Sequence, residues 1–319
     1  MLSDLLTRKA PEDQMPNAHS ASWRIFAPLG IVLLVALAWT AYWFIAIGAA
    51  KERLASERLR LSERGFQLSC VQEQWGGFPF RFEFSCTSPK LSRTGLGELA
   101  STNLLVMALA YAPWQVVALI DGPSTLLLGH GAPKQAEHDR AVVVLTFESS
   151  GLASFSGEVR GIAMPLLGRI EKLSAHTRPS LPPASGTDIA ITLNKPVYQP
   201  AGMPAMALDQ VSILGGFESS PRLAIDTAEI QAGRIKVTGA GTLTLDEQNR
   251  VTGELTTETN DIGALIDFSA PYFGLSDEQK ANVQGIVGIL GNSAKIPIIA
   301  KNGLLYLGPF KIADLEPLY

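Results

Sequence analysis

Residues Arg222–Thr259 read RLAIDTAEIQAGRIKVTGAGTLTLDEQNRVTGELTTET. From Ile235 the apolar or small residues recur at every second position, through Val237, Gly239, Gly241, Leu243 and Leu245. Successive side chains of a strand point to opposite faces, so period-two alternation marks strands with one buried and one wet face. Glu247-Gln248-Asn249-Arg250 interrupts the alternation and joins two such strands.

The same pattern recurs outward from this stretch. FPFRFEFSC (78–86), NLLVMALAYAPWQVVALIDG (103–122), RAVVVLTFESSG (140–151), GLASFSGEVRGIAM (151–164), TDIAITLNKPV (187–197), ALDQVSILGGF (207–217) and KIPIIAKNGLLYLG (295–308) are each short and alternating. Asn302-Gly303 is the signature of a two-residue type I′ hairpin. The series specifies a mainly β chain: a curved antiparallel sheet, or one folded over as a β-sandwich-like domain, burying its apolar side. With 29 glycines and 20 prolines the chain has ample turn residues for it. One or two short helices are expected near the C-terminus. One covers 261–268 (DIGALIDF) with Asp261 as N-cap. The other runs from Ser276 to about Leu290, with Val283, Ile286, Val287 and Leu290 on one packing face. RPSLPPASG (178–186) is a loop that either divides the β region near residue 185 or lies inside one continuous sheet.

Before the strands comes a different solvent. Residues 25–50, IFAPLGIVLLVALAWTAYWFIAIGAA, carry no charge. A helix crosses the hydrocarbon core in about 20 residues, so this run is long enough to span. Pro28 is placed near its start, and Trp39, Tyr42, Trp43 and Phe44 crowd its other end, as interfacial rings do. A signal peptide's apolar core is shorter, about 7–15 residues, although Gly48-Ala49-Ala50 would suit a peptidase. The expected order is a short cytoplasmic tail (1–24), a single transmembrane helix (25–50), a helical stalk (51–65) ending at Gly65, and a periplasmic β-rich domain (66–319).

Orientation is contested by charge. The flank after the helix holds Lys51, Arg53, Arg58, Arg60 and Arg64, against Arg8, Lys9 and Arg24 before it. Lysines and arginines alone would put the bulk in the cytoplasm; long domains, however, translocate largely regardless of flanking charge. Cys70 and Cys86 bracket a strand–turn–strand segment, QEQWGGFPFRFEF. If that hairpin is centred on Phe78, the two cysteines face each other and a disulfide is sterically reasonable, implying an oxidising compartment. A pair of reduced, buried thiols is the other reading.

At 75–86, WGGFPFRFEFSC, the chain resembles an uncharacterised alphaproteobacterial family, domain of unknown function 2125. The match uses Gly77, Phe78, Pro79, Phe80, Arg81 and Phe82, with Cys70 and Cys86 around them. The resemblance implies a periplasmic place for the β domain and brings no catalytic residues. The segment 239–267, GAGTLTLDEQNRVTGELTTETNDIGALID, resembles AsmA-like envelope proteins, many of which are linked to lipid movement between membranes.

Chemistry is hard to find in the sequence. The net charge is −4, so no basic field invites nucleic acid. His19 lies in the tail; His130 and His138 share GHGAPKQAEHDR (129–140) with Glu137 and Asp139. Their spacing fits no metal pattern and reads as a solvated loop. No nucleophile elbow, P-loop or dinucleotide fingerprint occurs, and Gly215-Gly216 and Gly239-Ala240-Gly241 read as strand ends or bulges. Phe78, Phe80, Phe82 and Phe84 would lie on one face of a strand, forming core or the wall of an apolar groove, with Arg81 and Glu83 on the other. No catalytic, cofactor or metal site is assigned. The expected protein is a non-catalytic envelope protein of the inner membrane that binds phospholipid acyl chains or scaffolds envelope proteins. The competing expectation is a hydrolase of an envelope polymer or lipid.

Overall fold

The structure, a computed structural model, describes residues 21–93, 95–128, 133–149, 151–165, 168–180, 186–199, 202, 204–217, 222–273, 294–307, 310–315 and 317. The chain forms two compact units, Met1–Arg53 and Leu54–Tyr319.

The first helix spans Ala21–Glu63. Its stretch from Phe26 is long and apolar enough to cross a membrane, and Leu29, Ile31, Val32, Leu33, Leu34 and Val35 are exposed along it. Because the helix begins at Ala21, Pro28 lies inside it and not at its first turn. Isolated prolines are tolerated in membrane helices, where neighbouring groups re-satisfy the freed backbone. At the helix end Gly65, at φ +81°, donates its N–H to the Ser62 carbonyl at 2.9 Å, closing the last turn as a C′ glycine does.

The rest is mainly antiparallel β. The large sheet follows chain order: Gln72–Gly76, Arg81–Thr87, Asn103–Leu109, Ala112–Asp121, Ala141–Glu148, Gly151–Met164, Gly168–Pro179 and Thr187–Asn194. It continues through Gln210–Phe217, Leu223–Ala232, Ile235–Leu245, Val251–Thr259, Ala294–Lys301, Leu304–Leu307 and Phe310–Asp314. Strands on either side of residue 185 pair along their length, from Lys172↔Asn194 to Pro179↔Thr187. Among the described residues no pairing joins the first strand to the last, so the sheet is open. A five-stranded sheet is built from two excursions, between Thr87 and Asn103 and between Asp121 and Ala141, together with Phe66–Ser69.

The expected turns form. Lys301 pairs with Leu304 across Asn302 (φ +55°) and Gly303 (φ +74°), the positive angles of a type I′ turn. Leu245 pairs with Val251 across the loop that starts at Asp246. Gly215 marks a bulge opposite Ile225, and Gly239 and Gly241 lie inside a strand. The short helix is longer than its sequence signal, Ile262–Phe273, and Asp261 caps it by accepting the Ala264 N–H at 2.9 Å. The helix expected at 276–290 lies outside the described residues.

Register gives each face of the large sheet its character. Phe84, Val106, Ala118, Val143, Gly157, Ala175, Ile191 and Ile213 oppose one another in turn across successive strands. The neighbouring row runs Leu105, Leu119, Val142, Glu158, Ser174, Thr192, Ser212 and Glu229, turning polar from Glu158 onward. The first row is therefore apolar from Phe84 to Ile213, yet only Phe84 and Gly157 in it are buried; the other six are half-buried. Among the described residues, Cys86 is the largest side chain less than 2% exposed.

Candidate functional site

The family-like block forms the first hairpin, and its register corrects two expectations. Gln74 pairs with Ser85 and Gly76 with Glu83, so the hairpin is centred between Pro79 and Phe80, not on Phe78. Cys86 therefore faces Glu73 on the partner strand. Cys70 sits just ahead of that strand, and the two sulfurs still join in a disulfide with Cα atoms 5.5 Å apart. Cys86 is fully buried and Cys70 half-exposed.

The four phenylalanines do not share one strand face. The turn runs from Gly77 to Phe80, closed by the Arg81 N–H donating to the Gly77 carbonyl at 3.0 Å. Phe78 and Phe80 stand exposed on it, Phe82 is half-buried, and Phe84 is buried with its ring 4.9 Å from Trp75. The reason is the turn itself. Gly77 takes φ +98°, and a Cβ there would lie 2.5 Å from the Arg81 carbonyl oxygen, so the chain leaves the ladder before Phe78. The Phe78–Pro79 bond is cis. Arg81 and Glu83 do pair, at 2.5 Å.

Two polar clusters flank the hairpin's entry end. The Arg58 guanidinium lies 2.7 Å from a Glu73 carboxylate oxygen and 3.9 Å from Cys70 Sγ. It borders a shallow hollow lined by Ala55, Leu59, Ser62, Phe66 and Leu68. The second cluster was not legible in the sequence. Asp121 accepts from Arg140 Nε at 2.6 Å and from Asn103 at 3.3 Å, and the arginine bond holds its carboxyl below the usual carboxylate range. Ser101 and Thr102 donate to the Asp121 carbonyl.

Beside it, His138 Nδ1 lies 2.5 Å from the Asp139 carbonyl, which fixes that nitrogen as the donor. His138 Nε2 then accepts from the Ser124 hydroxyl at 2.8 Å. A serine bonded to a basic imidazole nitrogen is the first half of an acyl-transfer constellation. Here the nearby acid, Asp121, is engaged by Arg140, and the pair fastens the segment at His138 to the strand that starts at Ser124. Gly122 runs so close that a Cβ on it would stand 2.1 Å from the His138 carbonyl oxygen. No sequence pattern links positions 124 and 138. His19 and His130 lie outside the described residues, and among those described no group of three or more His, Cys, Asp or Glu converges to hold a metal.

Fold and site together define a β-rich protein with an N-terminal apolar helix suited to single-pass anchoring and a disulfide that points to an oxidising compartment. Comparison with protein families then gives the particular one. Residues 43–215 and 197–316 match the family of uncharacterized proteins conserved in bacteria, DUF2125, and the chain belongs to it. No curated protein and no solved structure matches the chain, and nothing in these comparisons supports the likeness to AsmA-like proteins.

Proposed function

We propose that the chain is a non-catalytic inner-membrane protein of the bacterial envelope, with its β domain in the periplasm holding phospholipid acyl chains against the apolar face of the large sheet. The observation that carries this reading is the row from Phe84 to Ile213: continuous, uncharged, and half-buried over most of its length. Soluble domains of this size bury such rows, since each CH₂ withdrawn from water is worth about 0.8 kcal/mol. Acyl chains laid across the strands would complete the burial. The disulfide supports the periplasmic address against the basic flank of the helix.

The test is native mass spectrometry of the full chain, purified without reductant, beside an Ile191→Glu variant whose anchor is unchanged. The wild type is expected to carry tightly held phospholipid that the variant loses, at a mass two hydrogens below the fully reduced chain. Equal lipid on both proteins would assign it to the anchor helix and sink the acyl-chain reading. In that case, scaffolding of envelope proteins becomes the function to test.

A further inference from the structure

Three neighbouring hairpins of the large sheet end side by side, at the end away from Cys70 and the chain's entry. The first tip is Gly77–Phe80, the second the turn at Ala110-Tyr111, and the third follows Glu148. They are adjacent because Arg81 pairs with Leu109 and Thr146 with Gln115, and the Ala110 N–H donates to the Phe80 carbonyl at 2.8 Å. Each tip carries large apolar side chains in solvent: Phe78 and Phe80, then Tyr111 and Trp114, then Phe147 and Leu152, all between 40% and 65% exposed. We propose that these tips form a second membrane-contact surface that seats in the headgroup layer of a phospholipid bilayer.

The occupant follows from chemistry and shape. Tyr and Trp rings, with an apolar body and one polar edge, prefer the membrane–water interface over either phase. The tips form a line of prongs about 24 Å long at strand spacing, not a flat patch with a buried centre and polar rim. A protein partner would need a matching row of pockets, whereas a fluid headgroup layer admits any such row. Charge complementarity favours a zwitterionic surface. Arg81 is already paired with Glu83, so the charges flanking the rings leave Glu148 as one net negative charge and no excess of positive charge to steer toward anionic lipid. A bilayer is also at hand, because the chain's apolar helix keeps the domain at high local concentration beside one. This contact uses tip residues outside the row from Phe84 to Ile213, and it is expected to survive Ile191→Glu, the variant that tests that row.

The experiment uses the full chain in phosphatidylcholine nanodiscs, mixed with phosphatidylcholine vesicles. Brominated acyl chains, which quench nearby indoles, are placed either in the nanodisc or in the vesicles. Subtracting the Trp114→Phe variant isolates Trp114 among the five tryptophans. Trp114 emission is expected to be quenched and blue-shifted in one arm. The nanodisc arm would report contact with the anchoring bilayer, and the vesicle arm contact with a facing one. Phe80→Ser and Tyr111→Ser together, checked for an intact disulfide and native circular dichroism, are expected to weaken the contact about tenfold or more per ring removed. Raising the salt is expected to change little. Emission identical with brominated and plain lipid in both arms overturns the proposal. So does a change that follows protein concentration in plain lipid, which would assign the tips to contact between proteins.

Discussion

Hairpin tips at the same end of one sheet are built in two ways. The tips at Gly77–Phe80 and Ala110-Tyr111 are held by backbone bonds, and the rings of Phe78, Phe80 and Tyr111 stand exposed on them. Further along, the tip between Leu245 and Val251 is shaped by a side chain. Asp246 accepts the Gln248 and Arg250 N–H groups, each at 2.9 Å, and its other oxygen accepts Arg250 Nε. A loop that spends its polar side chains on its own backbone is finished in water. A loop held by glycine and main-chain bonds does not depend on its side chains to close. The difference separates a turn that only connects from one placed to make contact.

The largest expected effect tests the backbone-held tip. Gly77→Ala puts a Cβ against the Arg81 carbonyl at a φ that L-residues rarely adopt, and is expected to destabilise the domain by about 3 kcal/mol in urea unfolding of the full chain. Asp246→Ala should cost less, and its signature is pH. The backbone bond from Arg250, then the bonds from Gln248 and the Arg250 guanidinium, depress the folded-state pKa of Asp246 below its unfolded value. Its contribution is therefore present above the unfolded pKa and lost as pH falls from there through the folded one. Thermal melts of wild type and variant should differ at neutral pH and converge at strongly acidic pH. A gap that stays constant with pH would show that the polar tip does not depend on the ionised carboxylate. The smallest effect is expected from Phe80→Ser, within about 0.5 kcal/mol of wild type, because the ring lies outside the packed part of the hairpin. A large loss there would make Phe80 a structural residue and dissolve the contrast between the two kinds of tip.

Strand character was legible because it rests on period two, and the positions from Ile235 to Leu245 announce it without help from the rest of the chain. The Asn302-Gly303 turn and the Asp261 cap were equally legible, since each depends on the chemistry of one or two residues. What failed was register. Placing the first hairpin's centre on Phe78 needed knowledge of a turn whose closure depends on Gly77 and the carbonyl of Arg81, and an alternating FPFRF string conceals that turn as strand. The shift moved Phe78 and Phe80 from a supposed core to a tip. The Asp121 and Ser124–His138 clusters were not legible, because they join residues brought together only when the two excursions fold back beside the large sheet.

The disulfide also has a mechanical meaning. Gln72–Gly76 is the large sheet's first strand, and the chain reaches it from the N-terminal helix through Phe66–Ser69 and Cys70. A pull arriving along that chain would ordinarily unzip an edge strand one residue at a time. With Cys70 bonded to Cys86, the load passes covalently into the second strand, which is paired along its length to Asn103–Leu109 and must shear as a whole. The edge strand then carries no tension, and the domain meets force at its broad side.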